Sequence, residues 1–454
     1  MRAFEKYGIR FLILILLAGM IFLRVKAYGN FNLSIGNADT ASYIHEAAMP
    51  IFSKDMFTRS RLFTTNLIYH LANVQDCKLQ VVSHPALGME TERAAQPCFN
   101  RIVIFQNLFS ILAWSGLALV VTKRIRGSFE KLLAVFLILA FGFTPAIADW
   151  DSVLGSESLT FSLFAFSAAF FVEFCFMLAE EHTNKIYSAV LSTLTITALF
   201  LWVFTRDANI YALAVLFPIA VISLILHPSL RKKTSLIVLT IAIFVFTAIG
   251  LKSAAASDRW KMPLDNVFSE YILPYPARVE FMKELGMPDP ESDSYTEWFN
   301  GNGTRAYAQF LLFHPGFALT TFSSNVGGIF SENIQPYFYS DETTLRKAML
   351  TANDLLHPNT HLVLALDILL FTGLFFAMFR RKNKDLTVWV WMGTWFVTSA
   401  SAMLVINFFA DSIGITRHTL FPVELFRLML WLFLILLFDQ ANRKDNENLG
   451  ATQT

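Results

Sequence analysis

A few short stretches place ionisable side chains where an apolar chain can least tolerate them: Asn37-Ala-Asp39-Thr-Ala-Ser-Tyr43, Arg59-Ser-Arg61, Ser156-Glu157, Arg206-Asp207 and Arg417-His418. All lie near the outer end of a long apolar run except Arg59-Ser-Arg61, which enters a short amphipathic helix in the loop after the first. A charge at bilayer depth costs at least a few kcal/mol, so such residues imply a water-filled or protein-lined cavity. Asp39 and Tyr43, four residues apart, share one helical face. Glu157 opens a helix, where the helix dipole favours a carboxylate. Carboxylates can take a proton, and guanidinium groups can hold an anion by bidentate hydrogen bonds, so one face with at least one acid and two cations could do both. Bland roles compete with these. Asp39 and Glu157 could be helix caps, Arg206 could pair with Asp207 or snorkel, and Arg417 and His418 could be ordinary interfacial residues. Asp367, about two turns into a later apolar run, could face the same cavity or make a structural hydrogen bond.

The elements that must position these residues are membrane spans. Hydrophobic residues make up 55% of the 454, 46 of them Phe, and the mean hydropathy is +0.49. A soluble domain cannot hide that much apolar surface. The expected fold is an all-α polytopic membrane protein with about ten transmembrane helices. They run roughly over Ile9–Phe22, Val103–Thr122, Leu132–Ala148, Leu159–Leu178, Ile186–Thr205, Ala208–Leu226, Ser235–Leu251, Leu362–Phe379, Leu386–Phe409 and Leu420–Phe438. Arg24 and Lys26 follow the first run where a signal cleavage site would need small neutral residues, so it reads as an uncleaved anchor. The basic clusters Lys123/Arg124/Arg126, Lys185, Arg231/Lys232/Lys233, Arg380/Arg381/Lys382/Lys384 and Arg443/Lys444 alternate along the chain as cytoplasmic loops should. Glu180 and Glu181 dilute only one of these. Both termini are expected in the cytoplasm, most naturally of a bacterial inner membrane.

Length and irregularity collect on the opposite, outer side, in a first loop 29–102 and a second 252–361. The first reads as short amphipathic helices over Thr40–Ile51 and Leu62–Ala72, then a polar hairpin-like stretch with Cys77 and Cys98. A Cys77–Cys98 disulfide follows if that side is oxidising. The organisation is then a transmembrane module 1–251 containing the first loop, the second loop 252–361, C-terminal spans 362–438, and a tail 439–454 expected to be disordered. A formal net charge of +1 with no extended basic face gives no nucleic-acid signal, and no Cys/His spacing suggests a metal site.

The placement of these motifs resembles the GT-C glycosyltransferases, multi-span enzymes that use polyprenyl- or dolichyl-phosphate sugars, as in the protein O-mannosyltransferase and aminoarabinose transferase families. The resemblance covers nearly the whole chain. It rests on Asp39 to Tyr43 in the first outer loop, Arg59-Ser-Arg61-Leu-Phe entering the second amphipathic helix, Gln106 in the second span, Ser156-Glu157, Thr205-Arg206-Asp207 and Arg417-His418. Asn-Ala precedes Asp39 where Gly-Asp or an acidic pair is common, which leaves subfamily and any divalent-cation requirement open. The resemblance implies an inverting transfer of a sugar from a polyprenyl-phosphate donor to a glycan, lipid or protein acceptor at the outer face. Such a transfer needs a base for the acceptor hydroxyl and cations for the departing phosphate. Asp39 is the candidate base, and Arg206 and Arg417 are candidates for the phosphate. Tyr43, Arg61, Glu157, Asp207 and His418 would bind or position substrate. An O-antigen polymerase or ligase-type enzyme, or a transporter or flippase, are the other classes; a transporter usually shows paired halves and charges at mid-membrane.

Overall fold

A computed structural model describes residues 2–451 apart from 30, 75, 85–88, 181–183, 333, 338–342 and 382; the side chains of 2–6, 83–91 and 443–451 fall outside the description. Glu181, Lys382 and the side chains of Arg443 and Lys444 therefore lie outside it.

The protein is an all-helical, multi-pass membrane protein. Among the described residues, nine helices are long and apolar enough to cross a bilayer, or ten when a bent pair counts as one span. In chain order the spans are Tyr7–Ala27, Pro97–Arg124, the bent pair Ser128–Phe143 and Pro145–Ser152, Glu157–Ala179, Lys185–Val203, Ala208–Leu226, Thr234–Ala256, Leu362–Arg381, Lys384–Ala410 and Ile415–Asn442. Every apolar run of the sequence matches one of them. The third bends by 45° at Thr144-Pro145, because Pro145 has no N–H to donate back into the preceding turn. Asn184 and Asn383 cap the fifth and ninth helices by accepting from backbone N–H groups of the first turn. The last helix runs on as Ile415–Ala451. The described backbone of the tail continues this helix. Gln440, Ala441, Arg443, Lys444, Glu447 and Leu449 favour a helix, while Asp439, Asn442, Asp445, Asn446, Asn448 and Gly450 do not.

Burial separates central from peripheral spans. The most apolar window of the tenth span is 83% buried and that of the fourth 78%, against 6% for the first and 17% for the eighth. The core is aromatic: Phe164 packs against Trp202, Phe396 and Phe421, and Trp395 donates its indole N–H to the Ala212 carbonyl at 3.1 Å, joining the ninth span to the sixth. The peripheral helices turn Phe11, Leu14 and Phe22, or Ile368, Leu369 and Phe376, outward, as lipid contact requires.

One end of the bundle gathers the basic connections. Arg124 meets Glu173, Arg126 reaches Asp385 at 2.6 Å, and Lys233 donates to the Glu180 carbonyl at 2.7 Å. The other end carries both long loops. In the first lie the helices Thr40–Ala47 and Phe63–Leu71, a two-stranded antiparallel hairpin of Val82–His84 and Met89–Thr91, and a Cys77–Cys98 disulfide with Cα atoms 5.8 Å apart. In the second, residues 260–317 close a small core of their own around Phe268, Met282, Trp298 and Phe310.

Candidate functional site

The site is assembled where the first loop crosses the start of the fourth span. Ile35 donates its N–H to the Ser152 carbonyl and accepts from Leu154 N–H, at 2.8 and 2.9 Å, so the two segments run side by side like paired strands. Asn37 then fixes the turn. Its Nδ2 donates to the Leu154 carbonyl and its Oδ1 accepts from the backbone N–H of Asp39, each at 2.8 Å. That local bond is the Asx-type geometry that makes Asn suitable before a helix. Asp39 occupies the N-cap position of Thr40–Ala47, yet its side chain caps nothing.

The Asp39 carboxylate instead accepts from two guanidinium groups, Arg61 Nη2 at 2.9 Å and Arg417 Nη1 at 2.6 Å. Arg417 also donates from Nε to Glu157 Oε1 at 2.7 Å, bridging the two acids. Arg206 Nη1 stands 3.7 Å from the same Glu157 oxygen. Residues 39, 61, 157, 206 and 417, drawn from five segments, therefore form one cluster. Among the described residues, three guanidinium groups share the two carboxylates of this cluster. Among the described residues neither Arg417 Nη2 nor the Arg206 guanidinium makes a hydrogen bond, and both side chains keep some solvent exposure.

Several neighbours hold these groups. Arg61 lies 4.3 Å over the Tyr43 ring, which stacks on Tyr69. Glu46 accepts from the backbone N–H groups of Ser60 and Arg61 at 2.9 and 2.7 Å. Gly155 leaves room for Glu157: a Cβ there would come within 2.5 Å of Glu157 Oε2. Two further buried ion pairs hold the turn before Glu157. Arg24 binds Asp151 at 2.8 Å, and Arg346 binds both oxygens of Asp149 at 2.7 and 2.6 Å. Tyr337 packs on Trp150, with Arg417 5.7 Å from its ring.

Burial alone would raise the Asp39 carboxyl, but Arg417 and Arg61 outweigh it and hold the group at about 2. It is a weak base while both cations are engaged. Among the described residues no group of three or more His, Cys, Asp or Glu side chains could hold a metal ion.

The remaining sequence candidates lie at the margin. Asp207 turns from Arg206 to Arg259, at 2.6 Å. His418 Nε2 lies 3.3 Å from Asp411, which also accepts from Asn266 at 2.9 Å. Tyr43 is buried beneath Arg61. Gln106 and Asp367 are buried without a hydrogen-bond partner among the described residues. Sequence reading missed Glu46, Arg24, Asp149, Asp151, Arg259 and Arg346.

No family model matches the sequence, and no curated sequence does. Solved structures do match in overall course. The archaeal oligosaccharyltransferase AglB from Archaeoglobus fulgidus, in complex with an inhibitory peptide and a dolichol-phosphate, superposes with a TM-score of 0.49 and 12% identity, over 98% of this chain and 52% of that one. An oligosaccharyltransferase of the same organism tethered with an acceptor peptide gives 0.46 and 13%, over 97% and 50%. This chain spans about half the length of the solved structures it matches. Its functional reading therefore comes from its own side chains.

Proposed function

We propose that the chain is an inverting glycosyltransferase of the GT-C type. It moves a sugar from a polyprenyl-phosphate donor to a glycan, lipid or protein acceptor at the loop-bearing face, which is the outer face of the membrane. The observation that supports this best is the pair of arginines with unspent donors beside two acids, at the end of an apolar bundle. A sugar phosphodiester carries one negative charge, which the unspent guanidinium donors of Arg417 and Arg206 can meet. Its lipid tail accounts for a site among membrane spans.

In this reading Arg417 and Arg206 take the phosphate oxygens. Asp39 accepts the proton of the acceptor hydroxyl as the new bond to the anomeric carbon forms opposite the breaking carbon–phosphate oxygen bond, so the centre inverts. The polyprenyl phosphate leaves as an anion and needs no strong acid. The donor also solves the weak-base problem. Phosphate oxygens compete with Asp39 for Arg417, so donor binding raises the basicity of the carboxylate just when an acceptor can use it. Glu157 holds Arg417 in place from below, and the aromatic face of Tyr337 lies beside the phosphate position.

The test is transfer from radiolabelled polyprenyl-phosphate sugars by the purified protein in lipid, compared with Asp39→Asn. Asparagine keeps the shape and removes the basic oxygen, so turnover should fall by about 10²- to 10⁴-fold with donor binding retained. Transfer by Asp39→Asn at close to the parental rate would place the base elsewhere.

A further inference from the structure

Arg259 stands outside the acid–arginine cluster and also donates to the Ser253 hydroxyl at 3.3 Å, yet the one carboxylate it holds adjoins a cluster cation. Its side chain is 11% exposed. Nε and Nη2 donate to the two oxygens of Asp207 at 2.6 and 3.0 Å, and Nη1 donates to the carbonyls of Phe57, at 3.2 Å, and Arg59. Asp207 follows Arg206 in the chain, and Arg59 lies two residues before Arg61. The fork thus satisfies both oxygens of the one carboxylate that sits next to Arg206 in sequence.

That saturation has a consequence for Arg206. Among the described residues its only charge contact is the 3.7 Å approach to Glu157, too long for a hydrogen bond. An unpaired Asp207 would offer a more exposed acid one residue along the chain, and a guanidinium with unspent donors would turn to it. We infer that Arg259 is a positioning residue for the anion site: by occupying Asp207 it keeps Arg206 facing Glu157 with its donors free for phosphate. This inference rests on the donor reading above. A plain structural latch between the second loop and the bundle would predict something different. Losing a latch loosens the fold whatever becomes of Asp207, whereas losing this competitor matters only while Asp207 remains an acid.

The experiment measures binding of undecaprenyl phosphate to the full-length protein in nanodiscs, with undecaprenol as the neutral control. Arg259→Gln should bind about tenfold more weakly, the loss of one charge-assisted phosphate contact. Adding Asp207→Asn to that variant should recover most of the affinity. Arg259→Gln that binds as tightly as the parent, or a double variant that binds no better than the single, overturns the inference. Should Arg259→Gln not fold, Arg259→Lys replaces it: one ammonium satisfies one Asp207 oxygen, so the loss is smaller, about threefold, and again reversed by Asp207→Asn. A loss that Asp207→Asn leaves in place counts against the inference here too. If the parent itself does not distinguish undecaprenyl phosphate from undecaprenol, the donor reading fails and takes this inference with it.

Discussion

Asp39 gains its character from two partners that no local pattern announces. A free aspartate titrates near 4, and this one is held at about 2 by Arg417 and Arg61 against the upward pull of burial. The folded group is depressed, so its pairing stabilises the protein above the unfolded pKa and that contribution is lost as pH falls through about 2. In catalysis the same group should behave differently in the two complexes. The profile of kcat/KM reports the free enzyme and that of kcat the donor complex. In the proposed donor complex phosphate draws Arg417 away, so an acid limb belonging to Asp39 should lie at higher pH in kcat than in kcat/KM, and coincident limbs would show that donor leaves the carboxylate untouched. Arg206→Ala should weaken donor binding and turnover together, since it removes a contact made in both ground and transition states; a change confined to turnover would remove Arg206 from the phosphate. Asp39, Glu157, Arg206 and Arg417 are legible in the sequence because a charge at the end of an apolar run is anomalous wherever it occurs. Arg346 and Asp149 are not, because residues 197 positions apart meet only through the fold.

At the scale of elements, the connection that presents Glu157 does more than link two spans. Pro145 bends the third helix, the chain continues through Asp149–Ser152, and Gly155 precedes Glu157 with no space for a methyl group. The atom in the way is the far end of a flexible side chain, so Gly155→Ala should fold normally while displacing Glu157 and, through it, Arg417. A parental melting temperature with weakened undecaprenyl-phosphate binding is the expected pair of results; unchanged binding would mean that Glu157 does not hold Arg417 where the donor needs it. Helices and their ends are well legible here, because an apolar run of about 20 residues has few alternatives in lipid. The bend was hidden: Leu132 to Ala148 reads as one continuous run, and only the geometry at Thr144-Pro145 shows that it is broken. The pairing of Ile35 with Ser152 and Leu154 was equally hidden, since backbone bonds carry no side-chain signature.

For the whole molecule, the basic connections lie together at one end and the long loops at the other, so a single choice of orientation fixes every loop. Reporter fusions after Lys233 and Lys384 should read cytoplasmic and one after Asp293 external, by the preference of basic loops for the cytoplasm. An external signal at either basic cluster would invert the site with it.

The same architecture sets a timetable for assembly. The first span is the least buried of all, and its Arg24 is fully buried against an aspartate 127 residues further along the chain. At a synthesis rate of about 5–20 residues per second, Arg24 waits roughly 6 to 25 s before Asp151 has been made. Until then the guanidinium must stay at the lipid–water boundary, where a long side chain at a helix end can reach water. This helix can therefore settle only once the third span has been made, and the turn that carries Glu157 waits longer still, until Arg346 arrives to hold Asp149.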